Sequence, residues 1–278
     1  MIYELNKEEY KKIIPLLSNN GYSNVVIKSI IDGNTRGKIF VDNIENPKTA
    51  LVWAIYCMYY FLGDGNNSEF FSKFHEFIKN ELYPMNKELG CDTFIATIIE
   101  DQNFEKNLDF LLKDKNHEKG YTQTFKFDID IFLKKNSENF SSDSNYIIKK
   151  IDFTQKNNVD QSELVENILE FWPTTDSFSN IGSGFYLEHD NKIVSSCFSC
   201  GVSKNLSEIV INTYEESYRK KGFGEIVAMA FINECIEKNM IPSWETDESN
   251  IPSIRLAEKV GFKKDRKLLC YEFLFDAI

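Results

Sequence analysis

The chain is short of several things that would mark out whole classes of protein. Among 278 residues there are three histidines, His75, His117 and His189, none near another in sequence, so a histidine-rich metal site has little support. No run of about 18 apolar residues occurs, and a membrane-spanning helix is not expected. The opening "MIYELNKEEYKK" carries acids and lacks the basic, apolar and small-residue succession of a secretory signal, which makes the cytoplasm the expected location. Cations are outnumbered, 32 Lys and Arg against 43 Asp and Glu. A formal charge of −11 disfavours nonspecific contact with nucleic acid and suits a small cationic partner. The six cysteines sit mostly inside apolar runs, as reduced core thiols do. "CFSC", 197 to 200, lacks the second Cys or His pair that zinc needs, and residues three apart on a strand face opposite ways. No metal, nucleic acid or membrane is therefore expected as a partner.

What the chain has is apolar substance: 42 % hydrophobic residues and 14 % aromatics, too rich for intrinsic disorder. Its length suits two domains. The most polar, least periodic mid-chain stretch, "KKNSENFSSDSN" at 134 to 145, sets the expected boundary, giving domains 1–140 and 141–278. The first half reads as α+β: a helix from "NKEEYKKIIPLL" that Pro15 should bend or end, strands in "GKIFVDN", "TALVWAIY" and "CMYYFLGD", an amphipathic helix capped by Ser68, then strand, helix and strand. Its glycines show no phosphate-loop spacing. The second half reads strand, helix, three strands, helix, strand, helix, strand, with Asp160 and Glu163 at capping-box spacing and a hairpin about "HDNK".

The most informative stretch is "TYEESYRKKGFGEIVAMAFINEC", 213 to 235, where three consecutive cations and two glycines head an apolar-periodic segment. A Walker A loop would end in Gly-Lys-Ser/Thr, and this one does not. A dinucleotide fingerprint would place its third glycine where Val227 stands. The remaining ligand reading is a loop whose main-chain amides face a pyrophosphate from a helix N-terminus: glycines permit close approach, the helix dipole favours an anion, and Arg219, Lys220 and Lys221 add charge.

Arg-x-x-Gly-x-Gly between a strand and a helix resembles the coenzyme A loop of the GNAT N-acetyltransferase superfamily, and the strand and helix order from 145 to 275 resembles that fold. "NIPSIRLAEKVGF", 250 to 262, is similar to the superfamily's later segment, an Asn opening a helix that ends in Glu-Lys-x-Gly-Phe. More narrowly, "GFYLEHDNKIVSSC", "YRKKGFGEIVAMAFINECIEKNMIPSWE" and "SIRLAEKVGF" together resemble the branch that includes zwittermicin A resistance acetyltransferases. The resemblance covers the second half only. It implies an α+β chain whose C-terminal domain is a GNAT fold, a central mixed and mostly antiparallel sheet flanked by helices. The first half is then either a degenerate copy of that fold or an unrelated α+β cap.

The resemblance further implies acetyl-CoA as cosubstrate and a small amine as acceptor, an antibiotic or a metabolite, attacked directly while both are bound to a monomer or homodimer. Main-chain groups of 209 to 213, among them Ile211, Asn212 and Thr213, would line the pantetheine and acetyl group. Arg219, Lys220, Lys221, Gly222, Phe223 and Gly224 would hold the pyrophosphate. Asn250 and Ser253 would contact the pantetheine or phosphate arm, roles compatible with helix capping and packing. Many relatives carry a Tyr before the Glu-Lys of the later motif as the catalytic acid; here Ala257 stands there, and Tyr271 and Tyr186 are the substitutes. For the base, Glu245 and Glu208 rank equally, with Asp247 on the face of Glu245. Cys235, late in its helix, is poorly placed to become a thiolate. The rival reading is a noncatalytic acyl-CoA-binding or sensory protein whose chemistry decayed with the missing Tyr.

Overall fold

A computed structural model describes residues 1–17, 24–55, 57–99, 101–136, 146–154 and 159–278. Of the boundary stretch 134–145, residues 137–145 lie outside the described residues. In chain order the elements are β1 (Tyr3–Glu4), a 3-10 helix (Lys7–Leu16), α1 (Val25–Ile31), β2 (Lys38–Val41), β3 (Thr49–Ile55), β4 (Met58–Gly63), α2 (Ser68–Phe77), a π turn (Ile78–Leu82), α3 (Tyr83–Glu88), β5 (Thr93–Ile98), α4 (Asn103–Leu111), β6 (Glu118–Phe127) and α5 (Ile129–Asn136). Then come β7 (Ile147–Lys150), α6 (Ser162–Phe171), α7 (Thr175–Ile181), β8 (Gly184–His189), β9 (Lys192–Ser203), β10 (Leu206–Thr213), α8 (Phe223–Glu237), β11 (Ile241–Asp247), α9 (Ile251–Lys259) and β12 (Phe262–Leu274). The chain is α+β, in two compact units: residues 1–122 with 267–278, and residues 123–266.

The first unit carries a mixed sheet in the order β1-β2-β3-β4-β5-β12. β2, β3 and β4 form an antiparallel meander; β4 then runs parallel to β5, from Met58↔Ile95 to Phe61↔Ile98. The segment of β12 from Cys270 to Leu274 pairs antiparallel with β5, so the chain's last strand completes this unit. One face buries an aromatic cluster that includes Phe61, Phe74, Phe94, Phe104 and Phe273; the other buries aliphatics such as Ile13, Ile27, Ile39 and Val52. The cap of α2 is Asn67, whose side chain accepts from the Phe70 amide, one residue before the Ser68 expected from sequence.

The second unit has the order β6-β11-β10-β9-β8-β7. β8 and β9 are joined across Asp190 and Asn191, both at positive φ (47° and 59°), the backbone of a tight hairpin turn that Asp and Asn tolerate. Helices cover both faces. Under α8 and α9 lie Cys197, Ile209, Val227, Phe231, Trp244 and Phe262. Under α6 and α7 lie Leu164, Ile168, Trp172, Phe178, Tyr186 and Phe198. Cys197 and Phe198, neighbours on β9, fall in different clusters, as the two-residue period of a strand requires. Asp160 does not cap α6: its carboxylate accepts from the Ser162 amide, and the cap residue is Gln161. Helix α7 is an addition to the order expected from sequence, although Thr174 and Ser177 form a capping box legible in "TTDS".

The two units share an element order. Each reads strand, two helical segments, an antiparallel three-strand meander, helical segment, a strand parallel to the third of the meander, helix, strand.

Candidate active site

The site is built where β10 and β11 part. They pair in parallel only from Leu206↔Ile241 to Glu208↔Ser243, although both strands continue. At the same point the β9–β10 register steps over Cys200, between Glu208 and Ile209, a bulge that increases twist and bends the strand away. Beyond it β10 stays paired with β9 as far as Thr213↔Ser195, so Ile209 to Thr213 have a strand partner on that side alone. Ile211, Asn212 and Thr213 are half-buried there.

Helix α8 starts beside this opening. Its cap residue is Gly222, at φ +84°, a left-handed conformation that costs other residues about 1–2 kcal/mol, and no side chain caps the helix. In the first turn of α8 the Gly222 carbonyl accepts from the Glu225 amide at 3.1 Å and the Ile226 amide at 3.2 Å. Lys220 is also left-handed, at φ 61°. Arg219, Lys220, Lys221 and Gly222 are exposed, and the Lys221 ammonium stands 5.4 Å from the Tyr218 ring centre. The Phe223 side chain turns inward, into the core under α8. Gly224 lies against the end of β10: a β-carbon there would meet Ile211, Thr213 and, from α9, Leu256 at 3.4–4.0 Å.

Asn250 caps α9, its side chain accepting from the Ser253 amide at 3.2 Å, with Pro252 in the first turn. The Ser253 hydroxyl accepts from the Trp244 indole at 3.1 Å, tying α9 to β11. Lys259 and Glu225 join the end of α9 to the first turn of α8. Ala257 is fully buried.

Glu208 has the most unusual environment of the candidate carboxylates. It is 3 % exposed; one oxygen accepts from the Glu245 amide at 3.0 Å across the start of the opening, and the other has no hydrogen-bond partner. Burial first, and Glu245 second, hold its acid well above the ordinary carboxylate range, against the opposing pull of Ser243 and the Glu245 amide. Alternation puts Glu208, Val210, Asn212 and Tyr214 on the face covered by α6, and Trp244 on the other face sends Ser243, Glu245 and Asp247 to that same side. Glu245 is half-buried; Asp247 is exposed and accepts from the Ser249 amide.

Both candidate tyrosine hydroxyls are engaged with side chains of their own units. Tyr186 is fully buried in the core under α6 and α7, its hydroxyl 3.5 Å from the Gln161 amide nitrogen. Tyr271 belongs to the first unit, opposite Ala96 on β5. Its hydroxyl donates to Asp109 at 2.5 Å, Lys119 bonds Asp109 in turn, and burial raises its pKa. At the end of α6 Phe171 is half-buried, and Trp172 is core, its indole donating to the Ser199 carbonyl at 2.8 Å. Cys235 is buried and its pKa pushed up to about 12, so it stays a thiol. Among the described residues no cluster of three or more His, Cys, Asp or Glu is placed to hold a metal, and no helix is long and apolar enough to cross a membrane.

The first unit's corresponding turn, 63–67 between β4 and α2, is closed. The Gly65 amide donates to Asp101 at 2.8 Å, and a β-carbon on Gly65 would stand 2.4 Å from the Phe104 nitrogen. In place of cations the turn holds Asp64, which accepts from the Asn66 amide, and the Asn67 side chain donates to Asp42.

The chain is similar to known proteins in sequence and in fold. Over 273 residues the chain is 28 % identical to the protein of Bacillus subtilis (strain 168) called uncharacterized N-acetyltransferase YdfB, covering 95 % of both. Its fold is similar to that of a GCN5-related N-acetyltransferase-like protein from Streptococcus suis 89/1591, TM-score 0.67 at 19 % identity, covering 95 % of this chain and 98 % of that one. It is also similar to a tandem GNAT protein from the clavulanic acid biosynthesis pathway, TM-score 0.63 at 10 % identity, covering 99 % and 98 %. The model of the GNAT acetyltransferase family matches residues 15–271, reaching well beyond the second half where the sequence motifs lie. With that match spanning both units, the chain belongs to the GNAT acetyltransferase family and is an N-acetyltransferase.

Proposed function

We propose that the second unit moves an acetyl group from acetyl-CoA to the amine of a small molecule, an antibiotic or a metabolite, with both held at once and the protein acting in the cytoplasm. The observation that carries the reading is the parting of β10 from β11 immediately after Glu208, beside a glycine-capped helix start and three exposed cations. Acetyl-CoA supplies an activated acetyl thioester when bound. The unpartnered edge of Ile209 to Thr213 offers main-chain groups to its extended arm, as a missing strand would. The amides of Gly222 to Gly224 and the side chains of Arg219, Lys220 and Lys221 suit its pyrophosphate. In this reading Asn250 and Ser253 shape the α9 side of the groove through their cap and their bond to Trp244.

Glu208 and Glu245 face the acceptor side and share the work on the proton. A carboxyl whose acid is held weak becomes a strong base once ionised, which suits Glu208 for taking the proton from an attacking amine; Glu245, half-buried beside it, relays that proton outward. Tyr271 keeps its hydroxyl on Asp109 and serves its own unit's packing. A second reading, a coenzyme-binding protein without turnover, draws on buried Ala257 in the place of the usual acid.

Thermal melting with acetyl-CoA, coenzyme A, ADP, NAD and ATP tests the site. At about 100 times its dissociation constant a ligand adds roughly 2.7 kcal/mol, several degrees for a chain of this size. A rise with acetyl-CoA and coenzyme A alone is expected, and no rise with either sinks the assignment. Thiol release across an amine panel then separates the transferase from the silent binder.

A further inference from the structure

Four of the six cysteines, Cys197, Cys200, Cys235 and Cys270, are buried, whereas Cys57 and Cys91 are half-buried. These two belong to the first unit and come from separate stretches of it. Cys57 is the residue before β4 and Cys91 stands two residues before β5, so both lie at the same end of two neighbouring parallel strands. The Cys57 carbonyl accepts from the Ile95 amide at 2.8 Å, the Cys91 amide donates to the Asn86 carbonyl at 2.9 Å, and the Cys91 thiol donates to the Thr93 carbonyl at 3.4 Å. Held in this way, the two side chains are within hydrogen-bonding reach of each other, an approach that a disulfide requires. Burial first, and Cys91 second, push the Cys57 thiol up to about 12, so it is the poorer nucleophile of the pair at neutral pH.

We propose that Cys57 and Cys91 are a site of reversible oxidation, joined as a disulfide when the chain meets a hydroperoxide and parted again by a thiol reductant. In the first step the Cys91 thiolate attacks the peroxide: an S–O bond forms, the O–O bond breaks, and the released oxygen takes up a proton to leave as water or an alcohol. Cys91 is then a sulfenic acid. In the second step the Cys57 sulfur attacks the Cys91 sulfur; the S–S bond forms, the S–O bond breaks, and the hydroxide leaves as water with the Cys57 proton. Two thiols have together given up two electrons, which the peroxide has received. The bond ties the start of β4 to the approach of β5 and encloses α2, the π turn and α3 in one covalent loop. Such a link restricts the unfolded chain and so stabilises the fold.

The test treats the folded, fully reduced chain with a small excess of hydrogen peroxide, then unfolds and alkylates it and maps its peptides by mass. The count of free thiols is expected to fall from six to four, with Cys57 linked to Cys91 within one chain and the four buried thiols untouched. Melting of the oxidised chain should rise by several degrees, and dithiothreitol should return both the thiol count and the melting point. Cys57→Ser should stop at the first step and leave Cys91 as a sulfenic acid that dimedone captures. Cys91→Ser should leave Cys57 an unlabelled thiol. An unchanged count of six in the parent chain, a link joining any other pair of cysteines, a link between two chains, or dimedone on Cys57 of the Cys91→Ser variant would each overturn the proposal.

Discussion

Replacing Glu208 by Gln should make the protein's stability less sensitive to pH. In the folded chain the Glu208 acid is held well above its ordinary 4.5 by burial and by Glu245, whereas in the unfolded chain it returns to about that value. Because the folded pKa is the higher, the contribution of Glu208 to stability is complete below pH 4.5 and is lost as pH rises through the folded value. Between those limits the folded chain holds one proton that the unfolded chain has released, so stability falls by about 1.4 kcal/mol per pH unit from this group alone. A glutamine side chain at this position does not titrate. Its amide would leave a buried donor poorly satisfied in place of the unpartnered oxygen, a cost of roughly 1–3 kcal/mol that does not vary with pH and leaves the slope untouched. The melting temperature of Glu208→Gln relative to the parent should therefore climb by about 3–6 °C per pH unit from pH 5 upward, until the folded carboxyl ionises. Differential scanning calorimetry at half-unit intervals reads this directly. Curves that stay parallel would mean that Glu208 is ionised in the fold, and the case for it as an unusually strong base would fail.

Four other outcomes follow from the same geometry. Gly222→Glu and Arg219→Glu should each abolish the melting shift given by acetyl-CoA, the first by strain at φ +84° and by charge, the second by charge alone; an intact shift refutes the loop assignment. Calorimetry should find one coenzyme site per chain, because Asp101 and Phe104 close the Gly65 turn of the first unit, and a stoichiometry of two refutes that closure. Trp172→Ala should cost about 3–5 kcal/mol in denaturant unfolding, as truncation of a fully buried, hydrogen-bonded indole does, and a loss under about 1 kcal/mol would show that it is not core. Tyr271→Phe should cost about 1.5–3 kcal/mol for its bond to Asp109; a hundredfold fall in thiol release from a stably folded variant would instead restore it as the catalytic acid.

Legibility followed the range of the forces involved. The hairpin at Asp190-Asn191, the α9 cap at Asn250 and the glycine start of α8 were readable because each depends on a few adjacent residues and their own backbone preferences. The first segment went the other way: "NKEEYKKIIPLL" has helical spacing, yet it forms a 3-10 helix, with Pro15 next to its end. Helix α1 and helix α7 are too short for periodicity to announce them, although the caps at Asn24 and Thr174 stood in plain view. The two carboxylates could be nominated from sequence but not told apart. What distinguishes them is that Glu208 is 3 % exposed with one oxygen unpartnered, while Glu245 is half-buried.

By itself, then, the sequence determined the local chemistry: a glycine and cation loop opening an apolar helix, an Asn-capped helix after the next strand, an acidic chain without histidine clusters, and an α+β succession of elements. Tertiary structure alone decided that β10 pairs with β11 for three residues and then parts from it, that β12 completes the first unit's sheet, and that the first unit repeats the second's order with its glycine turn shut by Asp101. The physical reason is that caps and turns are settled within a few residues, whereas strand partnership and the burial of a charge depend on segments tens to hundreds of residues away. No short window of sequence contains both partners.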